Sequence, residues 1–174
     1  MTSYDDDIKI ASDKPSRDIK RLQQNPDNST SQKTDTYHEA KDWGRVVAAA
    51  FIADANENPL TDESDFDMVI QRRLLLSFTA SAGFEKFATD DFLCGVAQKS
   101  FLDTVRKEAP HLLETSQDTG AFSFYYLAFR RGGDTVRRIG QTFAMLCSHD
   151  GDPVYQELGE ALYCWFLSVV KKAI

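Results

Sequence analysis

The sequence predicts an all-α fold, a single helical bundle of about six helices behind a disordered N-terminal tail. Three observations carry this expectation. Apolar residues recur at helical spacing from Thr36 to the end of the chain, cap and stop residues bracket each run, and no stretch alternates in the two-residue period of a strand. Hydrophobic residues make up 42% of the 174 positions and aromatics 11%, enough for one substantial core.

Residues 1–35 form the expected tail, and residues 36–174 the helical domain. "QQNPDNSTSQKTD" (23–35) is rich in turn formers and has too little apolar surface to offset its ordering entropy. "SRDIKRLQQ" (16–24) places Ile19 and Leu22 on one side of a short helix, a pattern shared by docking motifs and frayed tails. Thr36 followed by Glu39 matches a capping box, and "WGRVVAAAFIADA" then runs toward a stop at Pro59. A second run, about 65–82, carries Phe66, Ile70, Leu74 and Phe78 at steps of four, with Gly83 as its expected end.

A third run, from about Asp90 to Glu108, sets Leu93, Cys94, Ala97, Phe101 and Val105 on one face. Lys99, Asp103 and Arg106 lie on the other, and Pro110 closes it. The last three runs are "GAFSFYYLAFRR" (120–131), "DTVRRIGQTFAMLC" (134–147) and "DPVYQELGEALYCWFLSVVKK" (152–172). Asp134 and Asp152 are good N-caps, and Pro153 stands where a helix tolerates proline best. The first and last of these three are apolar nearly all round, which predicts helices surrounded by others. Trp165 is expected to anchor the core on a face shared with Leu158, Ala161, Leu162 and Val169.

Charge and cysteine content narrow the function classes. A net charge of −7 argues against a duplex-binding surface, which must displace counterions with basic groups. No basic stretch leads into an apolar run at the N-terminus, so no secretory signal is expected. The apolar run "ALYCWFLSVV" (161–170) is about half of a membrane span. Cys94, Cys147 and Cys164 form neither a CxxC pair nor an even set, which suits reduced thiols in a cytoplasm.

Several motifs invite a chemical reading. "DANENPLTDESD" (54–65) spaces Asp54, Asn56, Asn58, Asp62 and Asp65 like the ligands of a calcium loop between two helices. Its sixth place is Pro59 where glycine is needed, so an acidic interhelical turn is expected instead and no metal is assigned. His149-Asp150 is the dipeptide of metal-dependent phosphohydrolases. Only His38 and His111 could assist it, and "SHDGDP" fits a turn followed by a helix cap. There is no GxxxxGK[ST], GxGxxG or GxSxG, and no catalytic residue or cofactor is assigned.

The arginine cluster "RRGGDTVRR" (130–138) is the least ordinary feature. Arg130 and Arg131 end one helix, where the macrodipole favours cations, whereas Arg137 and Arg138 begin the next, where it does not. With Gly133 they mark a candidate anion site at a helix N-terminus, set against an internal salt-bridge cluster. A helix-turn-helix reading would put Arg137, Arg138 and Gln141 against bases, but the acidic balance of the domain opposes it. Phe122, Tyr125, Tyr126 and Phe129 either line a pocket or fill the core.

The expectation is therefore a cytoplasmic, non-catalytic helical module that works by protein interaction or self-association. The alternative is a binding protein or enzyme for a small anionic ligand, using residues 130–138. An enclosed cavity of Tyr125, Tyr126 and an arginine would favour that alternative; a solid core would favour the interaction module.

Overall fold

The computed structural model describes residues 26–60, 66–115 and 119–174, which form an all-α bundle of seven helices with no strand among them. They are α1 (Pro26–Glu57), α2 (Phe66–Phe87), α3 (Asp91–Glu108), α4 (Pro110–Thr115), α5 (Thr119–Arg130), α6 (Thr135–Leu146) and α7 (Pro153–Ala173).

Local chemistry sets most of the boundaries. Asp90 caps α3 by accepting from the Leu93 amide at 2.8 Å, and Asp152 caps α7 by accepting from Val154 at 2.9 Å. Pro110 does end α3, as expected, yet the same proline opens the short helix α4, because a first-turn residue needs no amide donor. This adds one helix to the expected six. The α6–α7 turn is a Schellman motif: the Ser148 amide donates to Met145 and the His149 amide to Ala144, with Ser148 left-handed at φ 63°.

Two boundaries differ from the sequence reading. Helix α1 starts at Pro26, so it runs through the expected cap at Thr36 and through ten positions assigned to the tail. Thr34 to Glu39 are all exposed, so these six residues offer no buried face for an apolar period to reveal. The expectation for residues 1–25 lies outside the described residues. Helix α2 continues past Gly83, which is not a C-cap but a crossing point. A Cβ there would lie 2.8 Å from Val170 Cγ1 of α7.

Helix α2 is the hub, packed against all six others. From Val69 to Phe84 it is buried on almost every side, Leu74, Leu75, Leu76 and Phe78 being inaccessible or nearly so. Helices α1 and α3 make the most extensive pair and run parallel. Ser100 Oγ donates to the Lys41 carbonyl at 2.6 Å, and Phe51 meets Phe101 further along at 5.7 Å between centroids. Their closeness rests on Gly44, where a Cβ would sit 2.4 Å from the Ala97 carbonyl oxygen. Helices α6 and α7 form an antiparallel hairpin around Gly140, Phe143 and Gly159.

Trp165 is not a core anchor. It is 42% exposed, and the buried face of α7 is Gly159, Leu162, Tyr163, Phe166 and Val170, about one residue's rotation away. Helices α5 and α7 are apolar all round yet not surrounded, since Phe124, Leu127, Val154 and Trp165 all face outward.

Candidate interaction surface

Helix α5 divides its aromatics between two faces. Tyr125 is inaccessible and stacks on Phe78 of α2 at 5.6 Å, while Phe122 and Phe129 meet the same ring edge-on at 5.5 and 6.1 Å. Three of the four candidate pocket aromatics thus surround one core phenylalanine, and Phe122 also lines a cavity. Burial holds the Tyr125 hydroxyl well above the ordinary phenol range, with the nearby Cys147 adding in the same direction, and its oxygen has no hydrogen-bond partner among the described residues. Tyr126 points the other way, beneath the Arg130 guanidinium at 4.8 Å. No cavity encloses Tyr125, Tyr126 and an arginine together among the described residues.

The five residues of the candidate anion site also separate. Arg130 is engaged: it pairs with Glu85 at 3.0 Å and donates to the Tyr126 hydroxyl. Gly132 and Gly133 turn the chain with φ of 67° and 74°, values open to glycine at little cost. Arg138 folds back over this turn and donates to the Gly132 carbonyl. Asp134 occupies the N-terminus of α6, accepting from the Arg137 amide at 3.2 Å. The protein's own carboxylate therefore sits where the sequence offered a place to an external anion. Among the described residues Arg131, Arg137 and Arg138 form no ion pair with a carboxylate.

A groove of about 610 Å³ runs between α5, α6 and the start of α7. Arg131 and Arg138 lie along it with Phe124, Leu127 and Met145, while Gln141, Thr142, Asp150 and Gln156 supply polar groups. Phe124 is 49% and Leu127 54% exposed, far more than a satisfied packing face would leave. Sequence reading missed these three apolar residues. Phe124, Leu127 and Arg131 do share a helical stripe, at steps of three and four, but two opposed apolar stripes on one helix look like general burial.

The calcium-like stretch is built differently from a loop. Asp54 lies inside α1, and both of its oxygens are taken by Arg72, from Nε at 2.9 Å and Nη2 at 2.6 Å. Asn58 turns its amide back onto the Asp54 carbonyl. Asp62 and Asp65 lie outside the described residues, within which no three His, Cys, Asp or Glu side chains gather as for a metal. Beside this pair Arg73 is buried, its Nε without a partner among the described residues; desolvation lowers its pKa and Asp54 opposes the shift. His149 is stacked on Tyr155 at 3.8 Å and 8° between planes, which ties the α6–α7 turn to the first turn of α7.

No described helix is long and apolar enough to cross a membrane. No protein-family model, curated protein or solved structure matches the chain.

Proposed function

We propose that this chain is a non-catalytic helical interaction module whose α5–α6 groove docks a partner segment carrying both apolar and acidic side chains. One observation carries the reading: Arg131 and Arg138, without carboxylate partners among the described residues, flank the exposed Phe124, Leu127 and Met145. A helix laid in a groove is recognised through apolar anchors one turn apart, with charge fixing its register. Asp150 at the far end would disfavour carboxylates there and so orient the guest. Three free thiols are compatible with a reducing cytoplasm as the setting.

Fluorescence anisotropy with a panel of labelled acidic amphipathic peptides tests this. Binding should weaken by about tenfold in Leu127→Asp and in the double variant Arg131→Gln/Arg138→Gln, and should fall with added salt. Affinity unchanged in both variants, or no saturable binding by any peptide, would remove the proposal. Inorganic phosphate competing at low millimolar concentration would instead favour a small-anion site at the same arginines.

Self-association is the second reading, supported by the outward Trp165 and Val154 on α7. Analytical ultracentrifugation of wild type and Trp165→Ala tests it. A dimer that becomes a folded monomer in the variant would support it, whereas a wild-type monomer at all concentrations would exclude it.

A further inference from the structure

On the opposite side of α5 from the groove, a separate cavity of about 390 Å³ opens between α2, α3, α4 and α5. Its volume is within the range of small-molecule sites, and its described walls combine three aromatic rings and two leucines with four polar side chains. Phe84 and Phe101 are buried at its base, Phe122 and Leu113 are partly buried, and Leu102 is exposed at the edge.

The polar groups are distributed unevenly. Ser77 and Ser81 stand one turn apart on α2, both part-buried and both facing the cavity, and neither hydroxyl has a hydrogen-bond partner among the described residues. Three other described hydroxyls are satisfied internally, Thr79 donating to Leu75, Thr104 to Ser100 and Ser100 to Lys41. Ser77 and Ser81, side by side on one cavity wall, leave donors and acceptors for a guest. Gln98 reaches the Ser81 carbonyl only at 3.5 Å, a long contact that a better acceptor could replace.

Among the described residues a single charged side chain lines the site, Arg106 on α3. Its pairing with Asp103 is an exposed contact one turn away at 2.8 Å, of the kind that contributes little and yields easily. No carboxylate lines the cavity among the described residues. One cation, hydroxyls and an amide within, and aromatic walls are complementary to one negative charge on a compact apolar body. We infer that this cavity is a binding site for small aromatic monocarboxylates. The carboxylate pairs with Arg106, the ring lies among Phe84, Phe101 and Phe122, and Ser77 and Ser81 take any hydroxyl or carbonyl substituent.

Calorimetric titration with 3-phenylpropanoate and indole-3-acetate tests the inference on the full chain, with 3-phenylpropan-1-ol as the uncharged counterpart. At least one acid should bind saturably, and the alcohol should bind about tenfold more weakly. Arg106→Gln, at an exposed position, should remain folded and lose about tenfold in affinity for the acid. Ser77→Val/Ser81→Val should weaken a ring-hydroxylated acid more than the parent acid. Arg131→Gln in the distant groove should change nothing, so a failure here is separable from a failure of the docking groove. The inference is overturned by no saturable binding of either acid up to about 10 mM. Equal affinity for acid and alcohol, or an Arg106→Gln variant that binds as wild type does, would overturn it as well.

Discussion

Helices α2 and α7 invert the relation between composition and burial. Helix α2 carries Gln71, Arg72, Arg73, Ser77, Thr79 and Ser81, yet it is the element buried on nearly every side. Helix α7 contains the apolar run 161–170, broken only by Ser168, yet it presents Val154 and Trp165 to solvent. The difference lies in topology. Helix α2 touches six neighbours; Asp54 takes up Arg72 and the Leu75 carbonyl takes up Thr79, while Gln71 Oε1 and Arg73 Nε are buried without a hydrogen-bond partner among the described residues. Apolar content says that a helix has a face to hide; it does not say how many neighbours will come to hide it.

Truncation in the two helices should separate most sharply. Phe78→Ala removes a ring that three α5 aromatics surround, and it should cost about 3–5 kcal/mol by urea denaturation. Trp165→Ala, although it deletes a larger side chain, should cost about 1 kcal/mol or less, because the ring already faces solvent. Equal costs would mean that α7 is covered in solution and that the contrast is false.

The cysteines extend the comparison to pH. Burial pushes the Cys147 thiol up to about 12, with Asp67 of α2 adding to the shift, whereas Cys164 on α7 is exposed and raised less. A raised folded-state pKa means that below pH 9 both states keep the Cys147 proton and its contribution is intact. Between pH 9 and about 12 the unfolded thiol ionises first, so stability should fall as pH rises. Native-state alkylation at pH 8 should label Cys164 and spare Cys147 until denaturant is added. Labelling of Cys147 at a similar rate would show that the α2–α6 packing opens readily.

Two helical glycines should give effects of opposite sign. Gly83→Ala drives a methyl group against Val170 where α2 and α7 cross, and should cost about 1–3 kcal/mol. Gly95→Ala on α3 meets open space and should stabilise by up to about 1 kcal/mol through helix propensity. Thermal midpoints of the two variants, compared with wild type, give the signs directly.

Much of the helical architecture was legible in the sequence because caps and periodicity are local. Asp134 and Asp152 announced two helix starts from their own positions, and the buried side of α3 emerged as its apolar stripe implies. Legibility ended where a residue's meaning depends on a distant partner. Gly83 has the signature of a helix end and is instead a contact with a helix more than eighty residues later. Trp165 has the signature of a core anchor, but the face of α7 that turns inward is set by Gly159 fitting against Phe143. At the candidate surface the arginine cluster was visible. The sorting of Arg130 to Glu85, and of Arg131 and Arg138 to a groove with Leu127, was not visible, because it needs the relative placement of three helices.

The parallel pairing of α1 with α3 bears on how the chain assembles. Parallel neighbours cannot be joined by a tight turn, and here the whole of α2 runs between them, placing Lys41 and Ser100 59 residues apart in sequence. The α6–α7 hairpin closes over a few residues, but the α1–α3 contact must meet the loop-closure entropy of a long excursion before Gly44 can settle against Ala97. The most extensive helix pair thus closes a long loop, and α1 is expected to dock late and release early. Native-state hydrogen exchange would register this as amides of α1 opening at lower free energy than those of α2 and α7; uniform protection across all three would rule it out.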